Sequence, residues 1–160
     1  MEIALTEAKL AGKRDEVPVG AVIVDKDYNI LATNGNRILE LEDPTAHAEI
    51  LCIREASKKM KNERLVGCTI YTSLEPCAMC ASAISLARIK RLYFGAFDNK
   101  TGGVENGIKF FESSSCMAIE LYPPFEYPIT KRFSFSSMSF SQEKACTPST
   151  MSKSTFPLLF

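Results

Sequence analysis

Only one histidine occurs in the 160 residues, within His47-Ala48-Glu49, and two of the six cysteines form Cys77-Ala78-Met79-Cys80. These groups constrain the fold strongly, because metal chemistry with them requires two segments 30 residues apart to meet. Cysteines at i and i+3 share one face of a helix, and the positive end of a helix favours the thiolate. Cys77 and Cys80 can therefore present two anionic sulfurs to one ion. An imidazole from a second helix start makes a third ligand. Three nitrogen and sulfur ligands with a fourth position open describe a catalytic zinc site, whereas a structural site fills all four. Taken singly, each part says less: an isolated Cys-x-x-Cys reads as a redox or structural metal pair as readily as a catalytic one, and a lone histidine reads as core. No second histidine exists to close the shell, although Cys52, Cys68 and Cys116 remain available as a fourth ligand.

Hydrophobic periodicity supplies the elements around these residues. Ile3, Ala4, Leu5, Ala8 and Ala11 recur at helical spacing, with Gly12 at the stop. The β-branched run 17–24 and the run 30–34 flank the turn-prone Asp27-Tyr28-Asn29 and read as a hairpin. Ala46, Ile50, Leu51, Ile53 and Ala56 predict a second helix, ending in the basic run Lys58-Lys59-Met60-Lys61. A strand is expected at 69–72, a small-residue helix at 77–87, and further strands at 91–96 and 117–121. Helices alternating with strands predict an α/β layered domain with some parallel pairing. Past Pro123 neither period is sustained. The stretch 123–160 is rich in serine and phenylalanine and is expected to be weakly ordered.

Nineteen basic and nineteen acidic side chains leave no net charge, which excludes a bulk field for polyanions and restricts any nucleic-acid contact to a local patch. No apolar run approaches the roughly 18–20 residues of a membrane span. The N-terminus has neither the basic flank nor the apolar stretch of a signal peptide, so the cytoplasm, no membrane and reduced cysteines are expected.

A carboxylate two residues after the histidine and a proline before the first cysteine complete the pattern H-x-E…P-C-x-x-C, the signature of zinc deaminases. Zinc lowers the pKa of a water from about 15.7 to about 7, supplying a nucleophile for an electron-poor ring carbon that bears an amino group. The exocyclic nitrogen leaves only when protonated, so one group must carry the proton from water to ring nitrogen and then to the amine. Glu49 is the candidate, with a general acid/base worth of about 10²- to 10⁴-fold.

With these residues in place, the chain resembles the bacterial tRNA-specific adenosine deaminases of the cytidine deaminase-like superfamily. The resemblance is carried by Glu16-Val17-Pro18-Val19-Gly20-Ala21-Val22, Asn36-Arg37, Asp43-Pro44-Thr45-Ala46-His47-Ala48-Glu49-Ile50, and Leu74-Glu75-Pro76-Cys77-Ala78-Met79-Cys80-Ala81. It continues through Phe94-Gly95-Ala96, Asp98 and Lys100-Thr101-Gly102, and covers about 1–121. It implies a three-layer α/β/α domain over 1–122 with a five-stranded mixed sheet, and a homodimer. The implied reaction is zinc-dependent, hydrolytic conversion of adenosine to inosine at the wobble position of a tRNA anticodon. By the same resemblance His47, Cys77 and Cys80 hold one zinc ion and Glu49 shuttles protons. Asn36 bonds the flipped nucleotide, the backbone at Ala48 helps read the base, and Asp98 contacts the anticodon stem-loop. An anticodon loop suits this chemistry because its bases are already unpaired and cheap to extrude.

Two groups of bases, Lys58, Lys59, Lys61 and Arg64, and Arg88, Lys90 and Arg91, are candidate phosphate contacts or solvated faces. Phe94, Phe97, Phe110 and Phe111 either stack on bases or fill the core. The chain departs from the family where Phe97 stands in place of an arginine, in the loop Val104-Glu105-Asn106-Gly107, and in the tail. There a non-homologous segment stands where the family has an amphipathic helix. Two rival functions remain at this point: a deaminase of a free base or nucleoside such as cytosine or guanine, and a non-catalytic zinc-stabilised RNA-binding subunit.

Overall fold

The computed structural model of the chain describes residues 1–112 and 119–124, all within the compact unit Met1–Pro128. Apart from its first two residues, the tail expected at 123–160 lies outside the described residues, as do Cys116 and Cys146.

Helix α1 (Glu2–Gly12) buries Ala4, Ala8 and Ala11, one stripe of an amphipathic helix. Strand β1 (Gly20–Val24) is buried along its whole length and pairs antiparallel with β2 (Ile30–Gly35). Their turn is closed by the Asp25 carboxylate, which accepts from the N–H groups of Asp27 and Asn29 at 2.8 and 2.9 Å. Helix α2 (Ala48–Met60), β3 (Thr69–Thr72), α3 (Ala78–Leu86), β4 (Arg91–Phe94) and β5 (Glu120–Tyr122) follow, with a short 3₁₀ turn at Phe110–Glu112.

The strands lie in the order β2-β1-β3-β4-β5. β1 runs antiparallel to both β2 and β3, and β3, β4 and β5 run parallel to one another. This is the five-stranded mixed sheet expected. The parallel step from β3 to β4 needs a crossover, which α3 supplies. Ala21, Ile23, Ile70, Leu92 and Phe94 project from one face into a core closed by Ala48, Cys52 and Ala56 of α2 and Ala81 and Ile84 of α3. Val22 and Val24 project from the other face and meet Ala4 of α1, with Tyr71 packed alongside. The result is the three-layer α/β/α arrangement. Full burial of each large apolar side chain is worth about 1.5–3 kcal/mol, so the layer between this sheet face and α2 and α3, with Ile23, Ile70, Ile84, Leu92 and Phe94, holds most of the apolar stabilisation.

Element starts differ from expectation for local reasons. The strand expected from 17 begins at Gly20, because Pro18 has no N–H for a ladder and Val17 is 45% exposed. The helices expected from 46 and 77 begin at Ala48 and Ala78, because His47 and Cys77 are extended N-cap residues. The strand expected over 91–96 stops at Phe94. The strand expected over 117–121 is seen as Glu120–Tyr122, while 113–118 lies outside the described residues.

Both N-caps lie beyond the C-terminal ends of the parallel strands β3 and β4, the end where α/β sheets bind ligands. The basic runs lie at the other end. α2 is 13 residues long, or about 18 Å between its first and last Cα at 1.5 Å per residue. Lys58, Lys59 and Lys61 therefore lie about 16–21 Å along the helix axis from His47. The loop after α2 returns to the C-terminal end of α3, with Leu65 N–H donating to the Ala87 carbonyl and Lys90 N–H to the Cys68 carbonyl. Arg64, Arg88 and Lys90 share that distal end, where they are exposed, and Arg91 pairs with Glu120 at 3.1 Å. Phe94 is buried in the core, with Phe97 packed edge-to-face on it at 5.6 Å; Phe110 and Phe111 pack against the same core.

Candidate active site

Helix N-caps are usually Ser, Thr, Asp or Asn, whose side chains bond the free N–H groups of the first turn. Here the caps are His47 (φ −70°, ψ 150°) and Cys77 (φ −69°, ψ 172°), and neither side chain makes a capping bond. Both are directed at each other instead: His47 Nδ1 lies 3.8 Å from Cys77 Sγ. Cys80, one turn into α3, is fully buried. The ligand atoms of His47, Cys77 and Cys80 all lie within 4.8 Å of one another, and no fourth His, Cys, Asp or Glu ligand joins them among the described residues. Cys52 donates its thiol to the Ala21 carbonyl at 3.3 Å, and Cys68 faces Met60 Sδ at 3.8 Å. Neither closes the shell. Nothing among the described residues is a disulfide partner for the four cysteines seen, all free.

The electrostatics follow from that packing. A hydrogen bond from Cys80, with a further one from His47, holds the Cys77 thiol down at about 4. The Cys80 thiol is pushed up by sharing its proton with Cys77 and by burial. The sulfur bond also raises the His47 imidazolium. Without metal, the two sulfurs thus share a proton, and the negative charge resides on Cys77. Glu49 sits in the first turn of α2 and is 3% exposed, and burial pushes its carboxyl up. Its Oε2 is the buried side-chain oxygen without a hydrogen-bond partner among the described residues. An orphaned carboxylate oxygen costs free energy unless something supplies a partner. A metal held by one imidazole and two thiolates, with a water, fits both the donor set and the orphan.

Asn36 leaves β2 at 3% exposure, and its Oδ1 accepts the N–H of Ala48 at 2.8 Å. The amide of Ala48 is thereby committed to Asn36, and what the Asn36 side chain can present to a ligand is its Nδ2 donors. Asp98 is brought beside this centre but not into it. Its carboxylate accepts from the N–H groups of Lys100 and Thr101 at 2.9 and 3.1 Å and from the Thr101 hydroxyl.

Two buried carboxylates were assigned no role by the sequence reading. Glu16 accepts the N–H groups of Ile38, Leu39 and Glu40 at 3.0, 2.8 and 3.0 Å, fixing the segment that leads to His47. Glu75, two residues before Cys77, does the same for 98–106. Both occur in the strings that carry the family resemblance, as Glu16-Val17-Pro18 and Glu75-Pro76-Cys77, and an acid one or two residues ahead of a proline was the available signal.

The family model for the cytidine and deoxycytidylate deaminase zinc-binding region matches residues 1–96. The chain is 57% identical over 116 residues, 72% of its length and 76% of the relative's, to the tRNA-specific adenosine deaminase of Agrobacterium fabrum. This chain belongs to the zinc-binding cytidine and deoxycytidylate deaminase family, in its tRNA-specific adenosine deaminase branch. A solved structure from work on A-to-I editing by tRNA:A34 deaminases at the wobble position superposes on this deaminase with a TM-score of 0.75 and 53% identity, over 79% of this chain and 91% of that one. A guanine deaminase from Bacillus subtilis superposes with a TM-score of 0.58 and 41% identity, over 60% and 61% of the two chains. The deaminase fold, the zinc-binding region and hydrolytic C–N chemistry are thus properties of the family to which the chain belongs. No helix among the described residues is long and apolar enough to cross a membrane.

Proposed function

We propose that the chain hydrolyses adenosine to inosine and ammonia at position 34 of a tRNA anticodon. The observation that carries the chemistry is the buried Glu49 carboxylate, with its unpartnered Oε2, beside the convergent His47, Cys77 and Cys80. The substrate is carried by the relatives, which are named tRNA-specific adenosine deaminases at up to 57% identity. The β5 strand ends at Tyr122, which supports 1–122 as the catalytic domain.

In this reading His47, Cys77 and Cys80 hold zinc, which when bound supplies a Lewis acid able to acidify a water to a pKa of about 7. Glu49 does the proton work. It takes one proton of the water that adds to C6 of the adenine and gives it to N1, then takes the proton of the resulting C6 hydroxyl and delivers it to the exocyclic nitrogen as the C6–N bond breaks. Ammonia leaves, and the C6 oxygen remains as the inosine carbonyl. Asn36 turns its Nδ2 donors toward the nucleotide, and its Oδ1 holds the Ala48 backbone at the edge of the base site. Asp98, in the adjacent loop, meets the nucleotides next to the target. The protein works in the cytoplasm as a homodimer.

The test is incubation of zinc-loaded protein with an anticodon stem-loop carrying A34, followed by nucleoside analysis, with free adenosine, cytosine and guanine as competitors. Inosine at position 34 is expected. No inosine, while a tRNA-specific relative produces it in parallel, overturns the proposal. The similarity to a guanine deaminase favours a free purine as the rival substrate, and preferential turnover of a free base establishes that rival instead. The buried Glu49 speaks against a non-catalytic zinc-stabilised RNA-binding subunit, which needs no such carboxylate.

A further inference from the structure

We infer that Glu75 is a positioning residue that locks the loop 98–106 onto the Cys77 segment, and that this lock sets the enzyme's grip on a structured RNA rather than on a free nucleoside. The inference rests on the proposed tRNA activity and adds the specificity device of that same site.

Glu75 is 3% exposed, and its bonding partners among the described residues are amide groups. Its Oε1 accepts the N–H groups of Val104, Glu105 and Asn106 at 3.1, 2.9 and 2.9 Å. Its Oε2 accepts the Asp98 N–H at 3.1 Å and the Asn106 Nδ2 at 2.7 Å. Five donors from one loop thus converge on one carboxylate some 23–31 residues earlier in the chain. Charge-assisted bonds of this kind are about twice as strong as neutral ones. Backbone bonds complete the seam: Glu75 N–H donates to the Ala96 carbonyl, Gly103 N–H to the Pro76 carbonyl and Phe110 N–H to the Gly103 carbonyl. Gly102 bridges to Cys77 itself.

The approach is close enough to demand glycine. A Cβ on Gly102 would come within 2.6 Å of the Glu75 carboxylate, and one on Gly103 within 2.7 Å of the Ala78 nitrogen. The sequence Gly102-Gly103-Val104-Glu105-Asn106 is therefore matched to Glu75. A base held at the metal is flanked by nucleotides that must leave the pocket along its rim. On the Cys77 side that rim is this loop, with Asp98, Lys100 and Thr101 on its outer arm. A free nucleoside has no flanking nucleotides and needs only the inner groups. Fixing the rim before RNA arrives removes the ordering cost from binding, so loosening it weakens RNA binding and leaves the proton transfer at Glu49 in place.

The experiment compares wild type, Glu75→Gln and Asn106→Ala, each loaded with zinc. Zinc content, direct affinity for a fluorescent anticodon stem-loop, and kcat and KM for the same RNA are measured. Glu75→Gln points an amide NH₂ at amide donors. We expect one zinc per chain, a 10- to 50-fold rise in KM and Kd, and a kcat within threefold of wild type. Asn106→Ala deletes one part-buried bond and leaves the other four donors to Glu75 in place; a 3- to 10-fold rise in KM and Kd is expected. A fall in kcat with KM and Kd unchanged in either variant, or no change in Asn106→Ala, overturns the inference. Failure of wild type to form inosine overturns the tRNA reading separately, since RNA affinity is scored without turnover.

Discussion

The N–H of Ala48 donates to Oδ1 of Asn36 at 2.8 Å in a buried setting, so the first turn of the helix that begins at the histidine ligand is held by a side chain from β2. Asn36 thereby serves the helix as an acceptor, and the proposed function gives its Nδ2 donors a separable duty toward the nucleotide. Asn36→Asp keeps the acceptor, at a helix N-terminus where negative charge is favourable, and deletes the donors. It is expected to unfold more easily than wild type in urea, because burial of the new charge outweighs the helix N-terminus, and to lose at least about tenfold in kcat/KM. Asn36→Ala loses both, and its orphaned N–H costs about 1–3 kcal/mol.

Glu49→Gln removes the proton carrier while keeping shape and burial. Turnover is expected to fall by about 10²- to 10⁴-fold with zinc content unchanged by atomic absorption. Unchanged turnover takes Glu49 out of the mechanism.

Removing the metal should separate the cysteines. A strong chelator is expected to stop inosine formation and added zinc to restore it. In the stripped protein, alkylation at pH 6 should label Cys77 first, because its thiol is held at about 4. Cys52, whose thiol burial pushes up, should label only on unfolding. Mass spectrometry of the alkylated peptides reads the order.

Burial alone would raise the Glu75 carboxyl, but the bonds from Asn106, Asp98 and Glu105 outweigh it and hold it below its ordinary value. A depressed carboxyl stabilises the fold when charged. Its contribution is therefore complete above the unfolded pKa of about 4.3 and is lost as pH falls through the lower folded value. Glu75→Gln is expected to cost about 2–3 kcal/mol at pH 7, with the gap to wild type shrinking below pH 4. A gap that stays constant from pH 7 to pH 3 contradicts the charged-carboxylate lock.

Much of the architecture was legible in the sequence because periodicity reports which face is buried. Strand β3 lies where Thr69-Ile70-Tyr71-Thr72 was read, and α1 where its alanines recur. The ligand set was legible because its spacing is local within each helix start, and the structure brings His47, Cys77 and Cys80 together. What the residue pattern concealed was long-range and polar. A glutamate that bonds backbone amides some 30 residues later, as Glu75 does, leaves no periodic trace, since backbone amides are the same in every residue. Val17 was misread as strand because β-branched residues mark extended chain whether or not a partner strand is present. The distal position of Lys58, Lys59 and Lys61 was likewise hidden, for nothing in a run of lysines says which end of a helix faces the substrate.

That distal position has a thermodynamic consequence. Among the described residues, the cations of the two basic groups at that end lie too far away to neutralise phosphates of an RNA loop seated at the metal, so they release few counterions on binding. The logarithm of RNA affinity should then decline only gently against the logarithm of salt concentration, with a slope of about −1 to −3. Such an enzyme would tolerate the ionic strength of a cell by fitting the shape of its loop, not by drawing it in.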